Sequence, residues 1–313
     1  MFIKNAILFI LLFPLFSSAH PGIGIVKDSK GNIYYTDLSQ VWKIKNGKKV
    51  IIVPGVHTHE LYIDNMDNLY GEHLEYEGGA NNKFNHYLWV LKSDGILDTL
   101  VGKRQAYIQV DYSLARDPEG NEYYIKQTDS NHIFKKSKNG KERVFATGEF
   151  KGVTWLHPQK DGSLLYVSDN NIYRAEVNGG VTIAAKNIAS KVPSFKFAAK
   201  NRIVWGIWQD DKKNIFVAVF SDQAIKKISS DGAIINYYKS ENNWTPTHGV
   251  FVNDRLWVLE YSDKHEFRVV LVNNQGKEIK EKKYFSFSYL LLGGFCVIML
   301  TYWFLAWRKH AQH

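Results

Sequence analysis

The sequence predicts an all-β fold, a six-bladed β-propeller with four-stranded blades, and two observations lead to this prediction. The first is a turn motif, Asn-Gly, Asp-Gly or Gln-Gly, that recurs six times just after a short apolar strand. The second is the spacing, since successive glycines lie 39 to 53 residues apart. Repeats of about 40–50 residues are typical of propellers. The motif occurs at Asn46-Gly47, Asp94-Gly95, Asn139-Gly140, Asn178-Gly179, Asp231-Gly232 and Gln275-Gly276.

Each unit divides into four short strands rich in β-branched and aromatic residues, and no long helical period competes with them. In the first unit these strands cover residues 22–28, 32–37, 40–44 and 49–53. An Asn-Gly pair between the third and fourth strands predicts a type I′ hairpin, in which both central residues have positive φ. Closing the blades into a ring removes exposed sheet edges, so we expect a closed propeller.

The first nineteen residues have the pattern of a secretory signal peptide. Lys4 supplies the positive charge, residues 6–16 form an apolar run, and Ser17-Ser18-Ala19 resembles a cleavage site. The apolar run is short for a membrane-spanning helix. We therefore expect the mature chain to begin at His20.

A second apolar segment lies near the other end of the chain. It has no charge from Ser286 until Arg308, which matches the roughly 20 residues needed to cross a bilayer, and aromatic residues lie near its ends. The sequence thus predicts an ectodomain at residues 20–283, one transmembrane helix at 284–307 and a cytoplasmic tail at 308–313. The propeller would lie on the extracytoplasmic side, periplasmic or extracellular.

Composition excludes several kinds of chemistry. The only cysteine is Cys296, inside the predicted span, so the ectodomain has neither disulfides nor a thiolate site. The net charge of +9 comes from basic residues spread over strands and turns, where lysine discourages edge-to-edge pairing; the alternative is a surface that faces a polyanion or a membrane. With a signal peptide in place, no nucleic-acid partner is expected.

The run Gly24-Ile-Val-Lys-Asp28-Ser-Lys-Gly31-Asn32-Ile-Tyr-Tyr-Thr-Asp37 resembles the NHL repeat. It is similar to the wider class of six-bladed propellers that includes the SMP-30/gluconolactonase, strictosidine-synthase-like and paraoxonase enzymes. The resemblance extends from residue 22 to about residue 280. It implies the fold and leaves the activity open, because such propellers include lactonases, lyases and binding modules.

Two histidines occupy the same position of the repeat. His59 and His248 each follow a threonine and come immediately before the innermost strand of their unit, where a propeller opens its central channel at the top face. His57 precedes His59 by two residues, so both side chains could project to one side of an extended chain. We predict His57, His59 and His248 as ligands of a divalent metal, zinc or calcium. The alternative is that they are polar residues lining the channel.

The connection between the second and third strands of unit two is the longest of its kind and carries further candidates. Glu72, His73, Glu75 and His86 could surround His59 there, unless the connection is merely a solvated acidic hairpin. Glu260 occupies the position in unit six that aligns with His73. We predict Glu72, His73 and Glu260 as catalytic bases or additional ligands.

The resemblance to the lyase branch of the NHL propellers implies a zinc site built from channel histidines. His59 and His248 match that pattern, whereas His157 of the fourth unit falls out of register and resembles a turn residue. The glutamate that begins the metal site of gluconolactonases has no counterpart at residues 22–28.

Two functions therefore remain open. One is a metal-dependent lactonase, esterase or lyase acting on a small molecule. The other is a module that binds a protein or glycan at its top face, with aromatic anchors such as Trp208 and Tyr76.

Overall fold

The computed structural model describes residues 24–78, 83–105, 114–126, 128–150, 152–190 and 203–279. Their regular structure consists of antiparallel sheets, and no helix among them is long and apolar enough to cross a membrane. The predicted signal peptide, transmembrane helix and cytoplasmic tail lie outside the described residues.

Six sheets follow one another along the chain, each an antiparallel meander in sequence order. Blade 1 contains β1 (Ile25–Lys27), β2 (Ile33–Thr36), β3 (Gln40–Lys45) and β4 (Lys48–Pro54). Blade 2 contains β5 (Leu61–Ile63), β6 (Leu69–Gly78), β7 (Lys83–Leu91) and β8 (Leu97–Gln105). Blade 3 contains β9 (Glu122–Lys126), β10 (Asp129–Lys136) and β11 (Glu142–Thr147).

The second half repeats the arrangement. Blade 4 contains β12 (Val153–Pro158), β13 (Leu164–Ser168), β14 (Asn171–Ala175) and β15 (Val181–Ala185). Blade 5 contains β16 (Val204–Gln209), β17 (Ile215–Val219), β18 (Ala224–Ile228) and β19 (Ile234–Lys239). Blade 6 contains β20 (Trp244–Val252), β21 (Arg255–Ser262) and β22 (Phe267–Val272).

The two sheets described with three strands also show a trace of a fourth. The bridge between Arg116 and Glu122 lies on the inner side of blade 3, and the bridge between Val272 and Glu278 lies on the outer side of blade 6. The predicted propeller of six four-stranded blades is thus confirmed. We call the end of the ring where the first strands begin the top face.

The ring closes without a covalent link between its first and last blades. Ile25 of β1 packs in one apolar cluster with Leu259 of β21. The Lys27 ammonium donates a hydrogen bond of 2.5 Å to the Phe251 carbonyl oxygen of β20. Burial of apolar side chains from both blades supplies the main driving force for this closure.

The predicted hairpin type is correct for only one of the six turns. At Asn46 and Gly47 both φ angles are positive, 51° and 72°, as type I′ requires. In the other five turns only the glycine has positive φ, as at Gly95 with 92°. There the Gly95 N–H donates to the Lys92 carbonyl at 2.9 Å, and the chain rejoins the ladder through a glycine bulge.

The aspartate of the NHL-like motif has a structural role. The Asp28 carboxylate accepts hydrogen bonds from the Asn32 backbone at 2.8 Å and from the Tyr34 hydroxyl at 2.9 Å, which ties the first turn of the blade to its second strand. Asp64 and Asp117 accept the corresponding bonds in blades 2 and 3. The aspartate of the motif therefore stabilises the turn and the second strand of its blade.

Three strands of blade 2 are longer than those of blade 5. β6 has 10 residues, and β7 and β8 have 9 each, whereas the strands of blade 5 have 5 or 6. The predicted long connection is therefore mostly an extension of β6 and β7 on the top face, with its tip at residues 79–82 outside the description.

Candidate functional site

A buried carboxylate lies between two imidazoles at the top of blade 2. Glu72 on β6 is only 5% exposed. Its Oε1 lies 3.4 Å from His59 Nδ1, and its Oε2 lies 3.8 Å from His86 Nε2. The His59 side chain keeps 18% of its surface exposed. We call His57, His59, Glu72, His73 and His86 the blade 2 cluster.

Buried hydrogen bonds hold the backbone on both sides of this contact. The Thr58 hydroxyl donates to the Glu72 carbonyl oxygen at 2.5 Å, and the Trp89 indole N–H donates to the same oxygen at 3.0 Å. The Thr36 hydroxyl of blade 1 donates to the Thr58 carbonyl at 2.7 Å. Thr36 on β2, Thr58 in the connection before β5 and Trp89 on β7 thus fix the backbone around His59 and Glu72, which limits the freedom of both side chains.

The other two histidines of the blade 2 cluster are held in place by their neighbours. His73 Nδ1 accepts the backbone N–H of His57 at 3.1 Å, and the His73 ring stacks on Tyr87 with centroids 4.8 Å apart. The His57 ring meets His59 edge-on at 4.7 Å. Burial lowers the pKa of both His57 and His73, and the imidazoles of His59 and His73 lower that of His57 further. Both therefore favour the neutral form.

His248 lies in a different environment. It belongs to the interior of β20, which begins at Trp244 and contains a bulge between Pro246 and His248, whereas the sequence placed it before the strand. Its Nδ1 is buried with no hydrogen-bond partner, and its ring lies 5.0 Å from Trp208. At Gly206 of the preceding blade a Cβ atom would lie 2.4 Å from the Thr247 carbonyl oxygen, so only glycine fits beside this strand.

A second histidine lies near His248. Burial lowers the pKa of His248 to about 3, and His157 contributes in the same direction, while a backbone hydrogen bond with Ile207 opposes the shift. Burial also lowers the pKa of His157 to about 4. The sequence placed His157 at the end of its strand as a residue resembling those of turns, and in the structure it is the second-last residue of β12. Blades 4 and 6 thus each contain a neutral imidazole, and the two rings influence each other electrostatically.

Glu260 is completely buried and fully engaged. Its carboxylate accepts hydrogen bonds from the Tyr238 hydroxyl at 2.9 Å, from the Ser240 hydroxyl, and from Arg268 Nε at 2.6 Å. These contacts join β21 to β22 and to the end of blade 5. Its predicted catalytic role stays a prediction, whereas the contacts are those of a carboxylate that stabilises the fold.

The three predicted metal ligands fall into two groups. His57 and His59 interact within blade 2, whereas His248 interacts with blades 4 and 5. Within the described ranges, there is no group of three or more His, Cys, Asp or Glu side chains that could hold a metal ion. Because the donors do not fit a shared ion, we derive no reaction step through one.

One of the two predicted aromatic anchors is buried. Trp208 is only 4% exposed and packs in the core between blades 5 and 6. The prediction that Trp208 is an exposed anchor is therefore wrong. A single tryptophan in a strand does not show whether its side chain points to the core or to solvent. The side chain of Tyr76 lies outside the description.

Sequence reasoning missed one oriented imidazole altogether. His132 Nδ1 lies 2.8 Å from an Asp129 oxygen, and both side chains are about one-third exposed at the top of blade 3. Several extra residues of β10 bulge out between Asp129 and Phe134. The Asp-x-x-His spacing was the only available signal, and it is weak.

Comparisons with known proteins support the fold and go no further. No family model matches the sequence, and no curated protein matches it. An auxiliary nutrient binding protein from Bacteroides thetaiotaomicron is 10% identical, with a TM-score of 0.52, 80% of this chain covered and 69% of that one. Regucalcin from Agrobacterium tumefaciens, a calcium-binding protein, is 15% identical, with a TM-score of 0.50, 77% of this chain covered and 83% of that one.

Virginiamycin B lyase from Staphylococcus aureus is 16% identical and covers 84% of this chain and 85% of its own, but its TM-score of 0.43 is too low to support an argument. The fold and the comparisons together show a six-bladed propeller whose fold is similar to that of regucalcin. The resemblance seen in the NHL-like motif is confirmed at the level of the fold.

Proposed function

We propose that this propeller hydrolyses a small lactone or ester at the top of blade 2, with His59 as general base and Glu72 as the carboxylate that orients it. One observation carries the proposal. A nearly buried carboxylate lies 3.4 Å from the Nδ1 of an imidazole that keeps part of its surface in solvent. A histidine held by a carboxylate in this way can take a proton from water.

The expected reaction consumes one water molecule. His59 takes a proton from the water through Nε2 while Nδ1–H points to Glu72 Oε1. The hydroxide adds to the substrate carbonyl, the ring or ester C–O bond breaks, and the leaving oxygen takes the proton back from His59. Glu72 stabilises the imidazolium that forms in between, and His86 lies beside its second oxygen.

The predicted membrane location indicates where this activity would take place. The transmembrane helix predicted at residues 284–307 would tether the enzyme, with the propeller and its substrate on the extracytoplasmic side. The sequence also predicted a divalent metal held by His57, His59 and His248, which would supply Lewis-acid chemistry if bound. Because these three donors do not fit a shared ion, the proposed hydrolysis does not use one, and the metal content of the protein is measured separately.

The test uses the full-length protein in detergent micelles. Hydrolysis of γ-butyrolactone, δ-valerolactone and p-nitrophenyl acetate is compared between wild type and His59→Gln. Loss of a general base lowers the rate by about 100-fold or more, so we expect that fall in kcat/KM. His132→Gln is the matched control, because His132 is also oriented by a carboxylate and partly exposed, and we expect it to leave kcat/KM unchanged.

Two results would overturn the proposal. One is a kcat/KM that does not fall in His59→Gln, or that falls as much in His132→Gln as in His59→Gln. The other is stoichiometric metal in the purified protein, lost together with activity in a His59→Ala/His248→Ala double variant. That second result would establish the shared metal site in place of the metal-free mechanism.

A further inference from the structure

Two turns of the propeller contain the same four residues in different conformations. Lys45-Asn46-Gly47-Lys48 joins β3 to β4 in blade 1, and Lys138-Asn139-Gly140-Lys141 joins β10 to β11 in blade 3. Asn46 and Asn139 are both exposed. The φ angle is positive at both residues of the first Asn-Gly pair, and only at the glycine of the second. The two turns therefore compare two structures of one local sequence.

Hydrogen bonds hold both groups of the Asn-Gly pair in blade 3. The Gly140 N–H donates to the Ser137 carbonyl oxygen at 2.8 Å. The side-chain oxygen of Asn139 accepts a hydrogen bond from the Ser137 hydroxyl. The amide side chain and the backbone nitrogen that follows it are thus both engaged within the turn.

The Asn-Gly pair of blade 4 is held in a similar way. The Gly179 N–H donates to the Glu176 carbonyl oxygen at 2.9 Å. The side-chain oxygen of Asn178 accepts the Gly180 N–H at 3.0 Å. This pair is therefore a second example of an engaged asparagine followed by an engaged glycine.

The Asn-Gly pair of blade 1 has neither of these bonds. Its two residues form the whole loop of the hairpin, with Lys45 paired to Lys48 at the strand ends. Neither the Asn46 side chain nor the Gly47 N–H forms a hydrogen bond with any residue that the structure describes. Both groups are thus exposed to solvent and free of contacts that would restrain them.

We propose that Asn46 is a site of spontaneous deamidation, and that in the folded protein it reacts faster than Asn139 and Asn178. The Gly47 backbone nitrogen attacks the side-chain carbonyl carbon of Asn46, and a C–N bond forms. The bond to the side-chain nitrogen breaks, and ammonia leaves with the proton that the Gly47 nitrogen gives up. Glycine favours this attack because it has no Cβ to hinder the approach.

Water completes the reaction. One water molecule opens the cyclic imide at either of its two carbonyl carbons, which yields aspartate or isoaspartate in place of asparagine. No other reactant is needed, so the modification requires only time in aqueous solution.

The hydrogen bonds determine the difference in rate. To form the cyclic imide, the asparagine must rotate until its side-chain carbon meets the glycine nitrogen, and this opens either turn. At Asn139 the rotation also breaks the bonds made by the Ser137 hydroxyl and the Gly140 N–H. Loss of one hydrogen bond of ordinary net strength slows a step by about tenfold. We therefore expect Asn46 to react at least about tenfold faster than Asn139.

The product changes both the charge and the length of the turn. A new carboxylate lies between Lys45 and Lys48. Isoaspartate also adds one carbon to the backbone, so the two-residue hairpin loses the register that pairs Lys45 with Lys48. This turn lies on the outer side of blade 1, and its modification is independent of the hydrolysis proposed for blade 2.

The test is incubation of the full-length protein in detergent micelles, in mildly alkaline buffer made with heavy-oxygen water. Proteolysis and mass spectrometry then follow the peptides that contain Asn46, Asn139 and Asn178. An oxygen atom taken up from the heavy water marks a residue that was deamidated during the incubation. We expect this label at Asn46 at least about tenfold sooner than at Asn139.

Two controls separate the effect of the fold from that of the sequence. In concentrated urea the two Lys-Asn-Gly-Lys segments should react at equal rates, because no turn remains. Ser137→Ala removes the hydroxyl that holds Asn139, so it should accelerate the reaction of Asn139 by up to about tenfold and leave Asn46 unchanged. Melting curves verify that this variant is folded.

Three results would overturn the proposal. The first is a rate at Asn46 in the folded protein that does not exceed the rates at Asn139 and Asn178. The second is a difference between Asn46 and Asn139 that persists in urea, since the fold would then not be its cause. The third is a Ser137→Ala variant in which Asn139 reacts no faster than in wild type.

Discussion

Blades 2 and 6 place a histidine on the same backbone framework and give it opposite surroundings. In blade 2 the Thr58 hydroxyl donates to the Glu72 carbonyl oxygen at 2.5 Å, and in blade 6 the Thr247 hydroxyl donates to the Leu259 carbonyl oxygen at 3.2 Å. His59 and His248 follow these threonines directly. The framework is therefore equivalent in both blades.

The neighbouring strand makes the difference. At the position whose carbonyl accepts the threonine hydroxyl, blade 2 has Glu72 and blade 6 has Leu259. His59 consequently faces a carboxylate, whereas His248 faces Trp208 and has no partner at Nδ1. A repeated fold thus reproduces the position of an imidazole, and one residue on the adjacent strand determines whether a carboxylate lies beside it.

The largest expected effect comes from giving blade 2 the residue of blade 6. Glu72→Leu removes the carboxylate that we propose orients His59, so kcat/KM for lactone or ester should fall by about 100- to 1,000-fold, or roughly 3–4 kcal/mol. Steady-state kinetics measure the fall, and Glu72→Gln, which keeps the shape, should lose nearly as much. Full activity in Glu72→Leu would show that the carboxylate plays no part.

The reciprocal exchange tests blade 6. Leu259 is completely buried, and Leu259→Glu should lower the free energy of unfolding by about 3 kcal/mol because a charge enters the core. The new carboxylate should also raise the pKa of His248 well above about 3. Urea unfolding measures the first effect and NMR titration the second, with Leu259→Gln as the uncharged control. An unchanged His248 pKa would contradict the equivalence of the two blades.

The neutral imidazoles of blades 4 and 6 predict an acid-sensitive fold. Their folded pKa values, about 3 for His248 and about 4 for His157, lie below the ordinary 6.5. As the pH falls below 6.5, these two histidines become protonated in the unfolded chain but stay neutral in the folded chain. The free energy of unfolding therefore decreases towards pH 4. The slope is up to about 1.4 kcal/mol per pH unit for each histidine.

Urea unfolding of the full-length protein between pH 7 and pH 4 measures this slope. His248→Gln and His157→Gln should each flatten it, and the double variant should flatten it most. A slope that neither substitution changes would mean that other groups cause the acid sensitivity.

The smallest expected effect compares the two threonines. Thr58→Val should cost about 1–1.5 kcal/mol, because it removes the short bond to the Glu72 carbonyl, whereas Thr247→Val, with the longer bond, should cost about 0.5–1 kcal/mol. Urea unfolding measures both. A larger loss of stability in Thr247→Val than in Thr58→Val would show that the shorter hydrogen bond is not the stronger one.

The fold was predictable because its signals are local. Glycine turns and short β-branched strands repeat along the chain, and the structure has a blade for each repeat. The hairpin type was less predictable. Asn-Gly is compatible both with type I′, found at Asn46, and with a type I turn followed by a glycine bulge, found at Gly140 and Gly179, because both need positive φ at the glycine.

The site was predictable in part. The repeat alignment placed His59 near Glu72 and His86 correctly, because all three lie on one blade. The approach of His157 to His248 depends on the packing of different blades, to which a single sequence gives no register. Burial of Trp208 depends on the same packing.

The noncovalent closure between blades 1 and 6 has a consequence for how the chain is made. Lys27 and its partner Phe251 are 224 positions apart. At a synthesis rate of roughly 5–20 residues per second, about 10–45 s pass between the synthesis of blade 1 and that of blade 6, which packs against it. During that interval Ile25 and its neighbours stay unprotected, so the first blade translated is the last to be finished, and slow or truncated synthesis should favour aggregation over a smaller functional ring.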